Sequence, residues 1–290
     1  MASDPPVLRF EHVNLHFGDT PAMVDLSFEI AAGETRVILG AAGSGKTTLL
    51  KTAVGLVKPD SGRVYLFGED VTDYKESQMY GIRSRVGILF QEGGLFDSLT
   101  IAENVAYPLL NQQIHAGHSA AGQPALREDN PEVEKRVRDS LRFVELEHTL
   151  DKFPSELSGG MRRRVGIARA VVTEPALVLY DSPTAGLDPI TANTIINLII
   201  KERDLRNAAA IMITHRFLDG HLMANFRYNP NSGEIEPASA AGVEGDAETT
   251  QVSTKFLVMQ DGRLVFEGTE AELLASTDPY VMKFQKAGSS

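Results

Sequence analysis

The chain of 290 residues reads as an α/β fold built on parallel strands, and three features point there. First, Thr35–Gly40 is a short apolar strand that runs into a glycine-rich turn and then into a helical stretch from Thr47 to Val54. Second, Arg85–Phe90, Ala176–Tyr180 and Ala209–Thr214 are short continuous apolar runs, the pattern of strands covered on both faces. Third, stretches of helical spacing separate those runs.

Taken in order, Val7–Phe17 alternates roughly between apolar and polar residues and predicts a strand at a sheet edge, and Met23–Ile30 alternates again. Ile101–Leu110 predicts a helix. Gln112–Asn130, with Gly117, Gly122 and Pro124, predicts an exposed loop. Pro131–Val144 places Val133, Val137, Leu141 and Val144 on one helical face, with Pro131 suited to a first turn. Leu157–Val172 and Ile190–Arg203 predict further helices, the second carrying Ile195, Ile196, Ile199 and Ile200 on one side. Asn229–Thr254 contains five acids and no Lys or Arg; it predicts a hairpin around Asn231-Ser232-Gly233 followed by a mobile loop. Lys255–Phe266 predicts a hairpin turning at Asp261-Gly262. A short helix at Glu270–Ala275 and a polar tail close the chain. No internal repeat is visible.

Composition narrows the class. Hydrophobic residues at 42% and charged residues at 23% match globular averages and exclude a disordered chain. Gly at 25 and Pro at 14 exclude a collagen-like one. The net charge of −11 argues against nucleic acid as a partner. With no cysteine, disulfides and thiolate metal sites are excluded. No apolar run nears the roughly 18 residues of a membrane-spanning helix, and Met1–Phe10 lacks a secretory pattern. The expectation is an intracellular chain that meets a membrane only through a partner.

The chemistry begins at Gly40-Ala41-Ala42-Gly43-Ser44-Gly45-Lys46-Thr47. Glycines let successive backbone N–H groups face one anion, and the following helix aims its positive end at the same place. That is the phosphate-binding P-loop, in which Lys46 would reach the β- and γ-phosphates and Thr47 would hold Mg²⁺. Leu157-Ser158-Gly159-Gly160-Met161 offers a second helix N-terminus that suits a phosphate. Spacing ties the pieces together: Gln91 lies 45 residues after Lys46, Ser158 67 after Gln91, Asp181 23 after Ser158 and His215 34 after Asp181.

This series resembles the ATP-binding-cassette (ABC) ATPases from about Val7 to Gly268. The resemblance implies a P-loop NTPase core of ABC type with an antiparallel β subdomain and a helical subdomain. It implies one cassette over residues 1–290, with a core of 7–92 and 165–268, helical subdomain 93–164, acidic insert 229–254 and tail 269–290. Phe17 takes the place of the adenine-stacking aromatic, and Gly40, Ala41, Ala42, Gly43, Ser44, Gly45, Lys46, Thr47 and Thr48 would bind ATP. Gln91 matches the Q-loop glutamine, Asp181 the Walker B aspartate, Asp188 the D-loop and His215 the switch histidine; Thr47, Gln91 and Asp181 would serve Mg²⁺. Ser158, Gly159 and Gly160 would meet the ATP of a second copy, so a homodimer is implied.

One position departs. The family places glutamate directly after the Walker B aspartate, whereas Ser182 stands here, and a neutral hydroxyl cannot act as a carboxylate base. Both a working ATPase using other groups and a slow nucleotide switch remain open. Arg162, Arg163 and Arg164 point roughly 100° apart on a helix, so structural pairing is expected rather than one basic face.

Phe90–Thr100, Glu103–Leu109, Glu156–Arg164, Gly186–Thr191 and Asp278–Phe284 resemble the ATPases of MCE/Mla-type phospholipid transporters. That likeness implies lipid transport through a separate permease whose coupling helix enters a groove near Gln91–Phe96. An MCE-type lipid-binding protein is a further implied partner, and the cytoplasmic face of the inner membrane the implied location. A cassette for another substrate is the alternative. A soluble ABC protein of DNA repair or translation fits less well, lacking a coiled-coil insertion or a second cassette.

Overall fold

The computed structural model describes residues 5–115, 130–238 and 253–286. In chain order they form β1 (Leu8–Phe17), β2 (Thr20–Ile30), β3 (Thr35–Leu39), α1 (Lys46–Ala53), β4 (Ser61–Leu66), β5 (Glu69–Asp70), α2 (Glu76–Arg83) and β6 (Val86–Leu89). Next come α3 (Ile101–His115), α4 (Pro131–Phe143), α5 (Gly159–Val171), β7 (Leu177–Asp181), α6 (Pro189–Arg206), β8 (Ala209–Ile213) and α7 (Phe217–Asn225). The hairpins β9 (Phe226–Asn229)–β10 (Glu234–Pro237) and β11 (Thr254–Gln260)–β12 (Arg263–Gly268) precede α8 (Glu270–Ala275) and α9 (Met282–Lys286).

Six strands order as β12-β11-β3-β8-β7-β6. All neighbours are parallel except the edge pair β11–β12. Every residue of β3, β7 and β8 is buried, which is why those runs are apolar without alternation. A second, antiparallel sheet orders as β2-β1-β4-β5, and Phe10 stacks on Phe28 across it at 5.0 Å. Strand β1, expected at an edge, is internal, because alternation reports one buried face and not how many neighbours a strand pairs with.

Helix α1 lies between the two sheets: Leu49, Leu50 and Ala53 share a core with Leu26 and Ile30 of one and Ile38, Leu179 and Ile211 of the other. The opposite face of the parallel sheet carries α3, α4, α5 and α6 through Val105, Leu141, Ile167 and Ile196. Helix α5 runs unbroken from Gly159 to Val171 and joins the helical layer to the sheet.

Several expectations are corrected. Gln112–His115 continues α3 instead of opening a loop, because no Gly or Pro interrupts it and each added residue gains a backbone hydrogen bond; residues 116–129 lie outside the described residues. The hairpin at Asn231-Ser232-Gly233 forms, with Glu234 opposite Asn229, but residues 239–252 of the expected mobile loop also lie outside them. The polar tail instead folds into α9, with its Phe284 and the preceding Val281 buried in the core, apolar burial that a segment this short needs in order to hold a helix. Strands β4 and β5 and helices α2 and α7 escaped the sequence reading, being short and dependent on neighbours for their pairing.

Candidate active site

Strand β3 ends in the middle of the parallel sheet, so the turn after it emerges at the carboxyl edge, where α/β folds bind ligands. The glycines of that turn are sterically required. Gly43 and Gly45 have φ of 79° and 100°, and a Cβ on Gly45 would lie 2.3 Å from the Ala22 carbonyl oxygen. Helix α1 then starts without a side-chain cap, which leaves its first-turn amides available to an anion.

Lys46 folds back over this loop. Its Nζ donates to the carbonyls of Gly40 at 2.8 Å and Ala41 at 2.7 Å and to Ser44 Oγ at 3.1 Å. Burial lowers its pKa, and Asp181 partly restores it. Asp181, buried at the end of β7, accepts from Thr47 Oγ1 at 3.4 Å and from Ser182 Oγ at 3.2 Å. A phosphate-sized anion suits the uncapped amides and the lysine. A hard cation suits the paired carboxylate and hydroxyl oxygens of Asp181 and Thr47. The residues present therefore fit a magnesium–nucleotide. Thr48 sits in the first turn of α1, half-buried. Phe17, at the end of β1, leaves 55% of its surface exposed.

The other motif residues sit on separate elements. Gln91 is exposed in a 3₁₀ turn (Gln91–Gly93), and Glu92, Gly93 and Gly94 all adopt left-handed φ. Arg169 of α5 holds that turn, donating to the Gly93 carbonyl at 2.9 Å; burial lowers its pKa to about 10. His215 is exposed just beyond β8, while Thr214 before it is buried.

Ser158 caps α5, its Oγ accepting from the Met161 amide at 3.3 Å, and Gly160 packs so closely that a Cβ would meet Thr191 Cγ2 at 2.6 Å. Asp188 caps α6 by accepting from the Ile190 and Thr191 amides at 3.1 and 3.0 Å, bonds that lower its pKa. Ser158, Gly159, Gly160 and Asp188 line one open cleft that no P-loop residue enters. Lys46, Thr47 and Asp181 meet at the P-loop; Ser158, Gly160 and Asp188 line a separate cleft, and Gly159 also borders one with Gln91.

Ser182 itself is held by its backbone. Its φ is 53°, its amide donates to the Ile213 carbonyl at 3.0 Å, and its carbonyl accepts from Arg163 Nη1 at 2.7 Å. The three consecutive arginines diverge as helical geometry requires. Arg162 donates to the Leu157 carbonyl, Arg163 to Ser182 and Ala185, and Arg164 to Val144.

The sequence reading missed Asp219. Its fully buried carboxylate accepts from the hydroxyls of Thr184 at 2.5 Å and Thr214 at 2.7 Å. It thus joins the loop after Asp181 to the residue preceding His215. A carboxylate four residues after a candidate histidine was the available signal, but acids are common on helices and nothing in sequence shows which way one faces. Asn104 was missed too; its side chain bonds the backbone of Phe96, Leu99 and Thr100 and shapes the segment after Gln91.

The family model for ABC transporters matches residues 23–185, more than half of the chain. The chain belongs to the ABC transporter family. Among curated relatives it is 36% identical over 203 residues to the probable ribonucleotide transport ATP-binding protein mkl of Mycobacterium leprae, covering 69% of this chain and 54% of that protein. It is also 36% identical over 214 residues to the methionine import ATP-binding protein MetN of Brucella abortus, covering 74% and 54%. This ABC chain therefore spans about half the length of the curated relatives it matches. Among solved structures, cbiO1 from Clostridium perfringens, part of the ABC transporter complex cbiONQ, aligns with a TM-score of 0.71 at 28% identity, covering 95% of this chain and 93% of that one. The ATP-binding cassette MJ0796, dimeric in a post-hydrolysis state bound to ADP and Pi, aligns at 0.68 and 26% identity over 90% and 98%. The fold is that of an ABC ATPase cassette, with ATP and Mg²⁺ as its ligands. Among the described residues no helix is long and apolar enough to cross a membrane.

Proposed function

We propose that this ABC cassette is the ATP-hydrolysing subunit of a multi-subunit transporter, acts as a homodimer, and powers movement of phospholipid or a related hydrophobic lipid through a separate permease. The observation that carries the dimer is the separation of the P-loop from the Ser158 cleft on one chain. Two copies arranged head to tail would bring the Ser158, Gly159 and Gly160 end of α5 toward the nucleotide held by Lys46 of the other.

In this reading ATP would supply the phosphoanhydride, and a bound Mg²⁺ would offset its charge. Lys46 and the α1 amides hold phosphate, Thr47, Gln91 and Asp181 serve the cation, Phe17 stacks on adenine, and His215 approaches the terminal phosphate. Asp188 positions the facing copy. The permease would dock where Phe90, Phe96, Tyr107 and Pro108 line a groove floored by Arg169, on the cytoplasmic face of the inner membrane.

Lipid is supported by the segments that resemble MCE/Mla-type ATPases, including Asp278–Phe284, and an MCE-type lipid-binding protein would complete such a system. The named relatives point to other cargo, ribonucleotide and methionine, so the cargo must be identified directly. Purifying the chain with its membrane partners and extracting bound small molecules for mass spectrometry should yield phospholipid. Bound methionine or nucleotide base in its place would sink the lipid reading. Ser158→Arg should bind ATP as a monomer yet no longer form ATP-dependent dimers by light scattering; unchanged dimers would reject the interface.

A second reading, a slow nucleotide switch, is favoured by Ser182, whose hydroxyl is engaged with Asp181 in place of a carboxylate.

A further inference from the structure

The C-terminal segment reaches the P-loop through one hydroxyl. Tyr280 Oη accepts a hydrogen bond from the Ala41 amide at 3.1 Å and donates one to the Met259 carbonyl at 3.2 Å. Because β11 pairs with β3 in register, Val258 opposite Leu39, Met259 lies beside Gly40, and a Cβ at Gly40 would sit 2.6 Å from the Met259 oxygen. Side-chain bulk is therefore excluded where the tyrosine hydroxyl bridges the two strand ends.

The Ala41 amide belongs to the same peptide plane as the Gly40 carbonyl, and that carbonyl receives Lys46 Nζ at 2.8 Å. A trans peptide points its N–H and C=O in opposite directions, so fixing one fixes the other. Tyr280 holds one end of this plane, and the lysine that would bind phosphate rests on the opposite end.

Tyr280 is itself well seated. Asp278 Oδ1 accepts from the Tyr280 and Val281 amides at 2.7 and 3.1 Å. Val281 and Phe284 are buried, the Tyr280 ring meets Phe284 edge-on at 5.5 Å, and Lys283 Nζ lies 5.1 Å from the Tyr280 ring centre. Gln285 ties the segment to the Leu273 and Ser276 carbonyls.

We infer that Tyr280 is a positioning residue: its hydroxyl fixes the Gly40–Ala41 peptide, and the C-terminal segment thereby sets how readily the P-loop accepts a nucleoside triphosphate. This rests on the P-loop being the ATP site. Tyr280 acts through the backbone: it determines the orientation of the loop from which Lys46 must depart. Without the hydroxyl the peptide can rotate, and binding must then reorder it.

The test uses the full chain and a fluorescent ATP analogue with Mg²⁺. Tyr280→Phe keeps the ring and its packing while removing the bridge. Its dissociation constant should rise about three- to tenfold, the scale of one lost hydrogen bond. KM for ATP should rise in step, with turnover at saturation changed less than about twofold, as expected when ground-state and transition-state binding weaken together. The Ala41 amide should exchange with solvent faster in the nucleotide-free protein. Unchanged affinity with unchanged Ala41 exchange overturns the inference, as does a fall in turnover with KM constant. Lys46→Ala separates the two levels: if it binds the analogue as tightly as wild type, the ATP-site reading itself fails. Weak binding by Lys46→Ala alongside normal binding by Tyr280→Phe rejects only the tyrosine.

Discussion

Arg163 Nη1 donates a 2.7 Å hydrogen bond to the carbonyl of Ser182. Arg163 stands in the first turns of α5, the helix capped by Ser158, while Ser182 follows Asp181 at the end of β7. One guanidinium thus links the two surfaces that meet nucleotide in the proposed dimer. Its second contact, Nη2 to the Ala185 carbonyl at 3.1 Å, spans the loop as far as the approach to Asp188. Arg163 is 3% exposed, and burial lowers its pKa while Glu92 and Asp181 oppose that shift. The planar fork suits two fixed carbonyls in a way a lysine would not.

That anchoring makes Ser182→Glu an informative substitution. With both amide and carbonyl of residue 182 already bonded, the new side chain should leave from an unchanged backbone. General-base assistance is worth about 10²–10⁴ in rate, so steady-state ATP turnover should rise about tenfold or more. Turnover measured at saturating Mg-ATP in the assembled complex checks it. A brisk wild type that Ser182→Glu leaves unchanged means another group, with Glu92 and His215 next to be replaced, or no base at all.

Asp219 predicts a coupling between two loops. Asp219→Ala strands the buried hydroxyls of Thr184 and Thr214, and should cost about 2–4 kcal/mol of stability in denaturant unfolding. Turnover should fall about tenfold while ATP affinity changes little, because the loops behind Asp181 and before His215 lose their common anchor. Asp219→Asn, whose oxygen can still accept both hydroxyls, should recover most of the turnover. Equal turnover in Asp219→Ala and wild type would show that the link serves stability alone.

Glu202 predicts a pH dependence. Its carboxylate is buried in α6, 2.9 Å from Arg206 Nε but without a well-aligned donor on either oxygen. Burial raises its pKa to about 7, against the pull of Arg206 and with a smaller push from Glu174. A carboxyl with a folded pKa above its unfolded one keeps its proton in the fold, so its stability contribution is lost as pH rises from about 4.5 to about 7. Glu202→Gln should therefore melt higher than wild type at pH 8, by an amount on the order of 3 kcal/mol, and the gap should close toward pH 4.5. Arg206 retains Glu174 at 2.7 Å in that variant. A constant difference across the range would assign Glu202 an ordinary pKa.

Much of this molecule is legible from local pattern. The P-loop, the apolar strands β3, β7 and β8, and the helix start at Ser158 follow from residue type and short spacing, because their geometry is set within a few residues by sterics and periodicity. The order of Lys46, Gln91, Ser158, Asp181 and His215 along the chain carried the family. What only the tertiary structure decided are contacts across long separations. Arg163 on Ser182 and Tyr280 on Ala41 depend on which face of a helix or tail packs inward, as does Asp219 between Thr184 and Thr214. No periodicity encodes that choice. A buried polar side chain must find a partner to offset its lost hydration, and the partner is supplied by whichever backbone the fold brings near. The docking of Val281 and Phe284 was settled likewise, by packing that composition does not display.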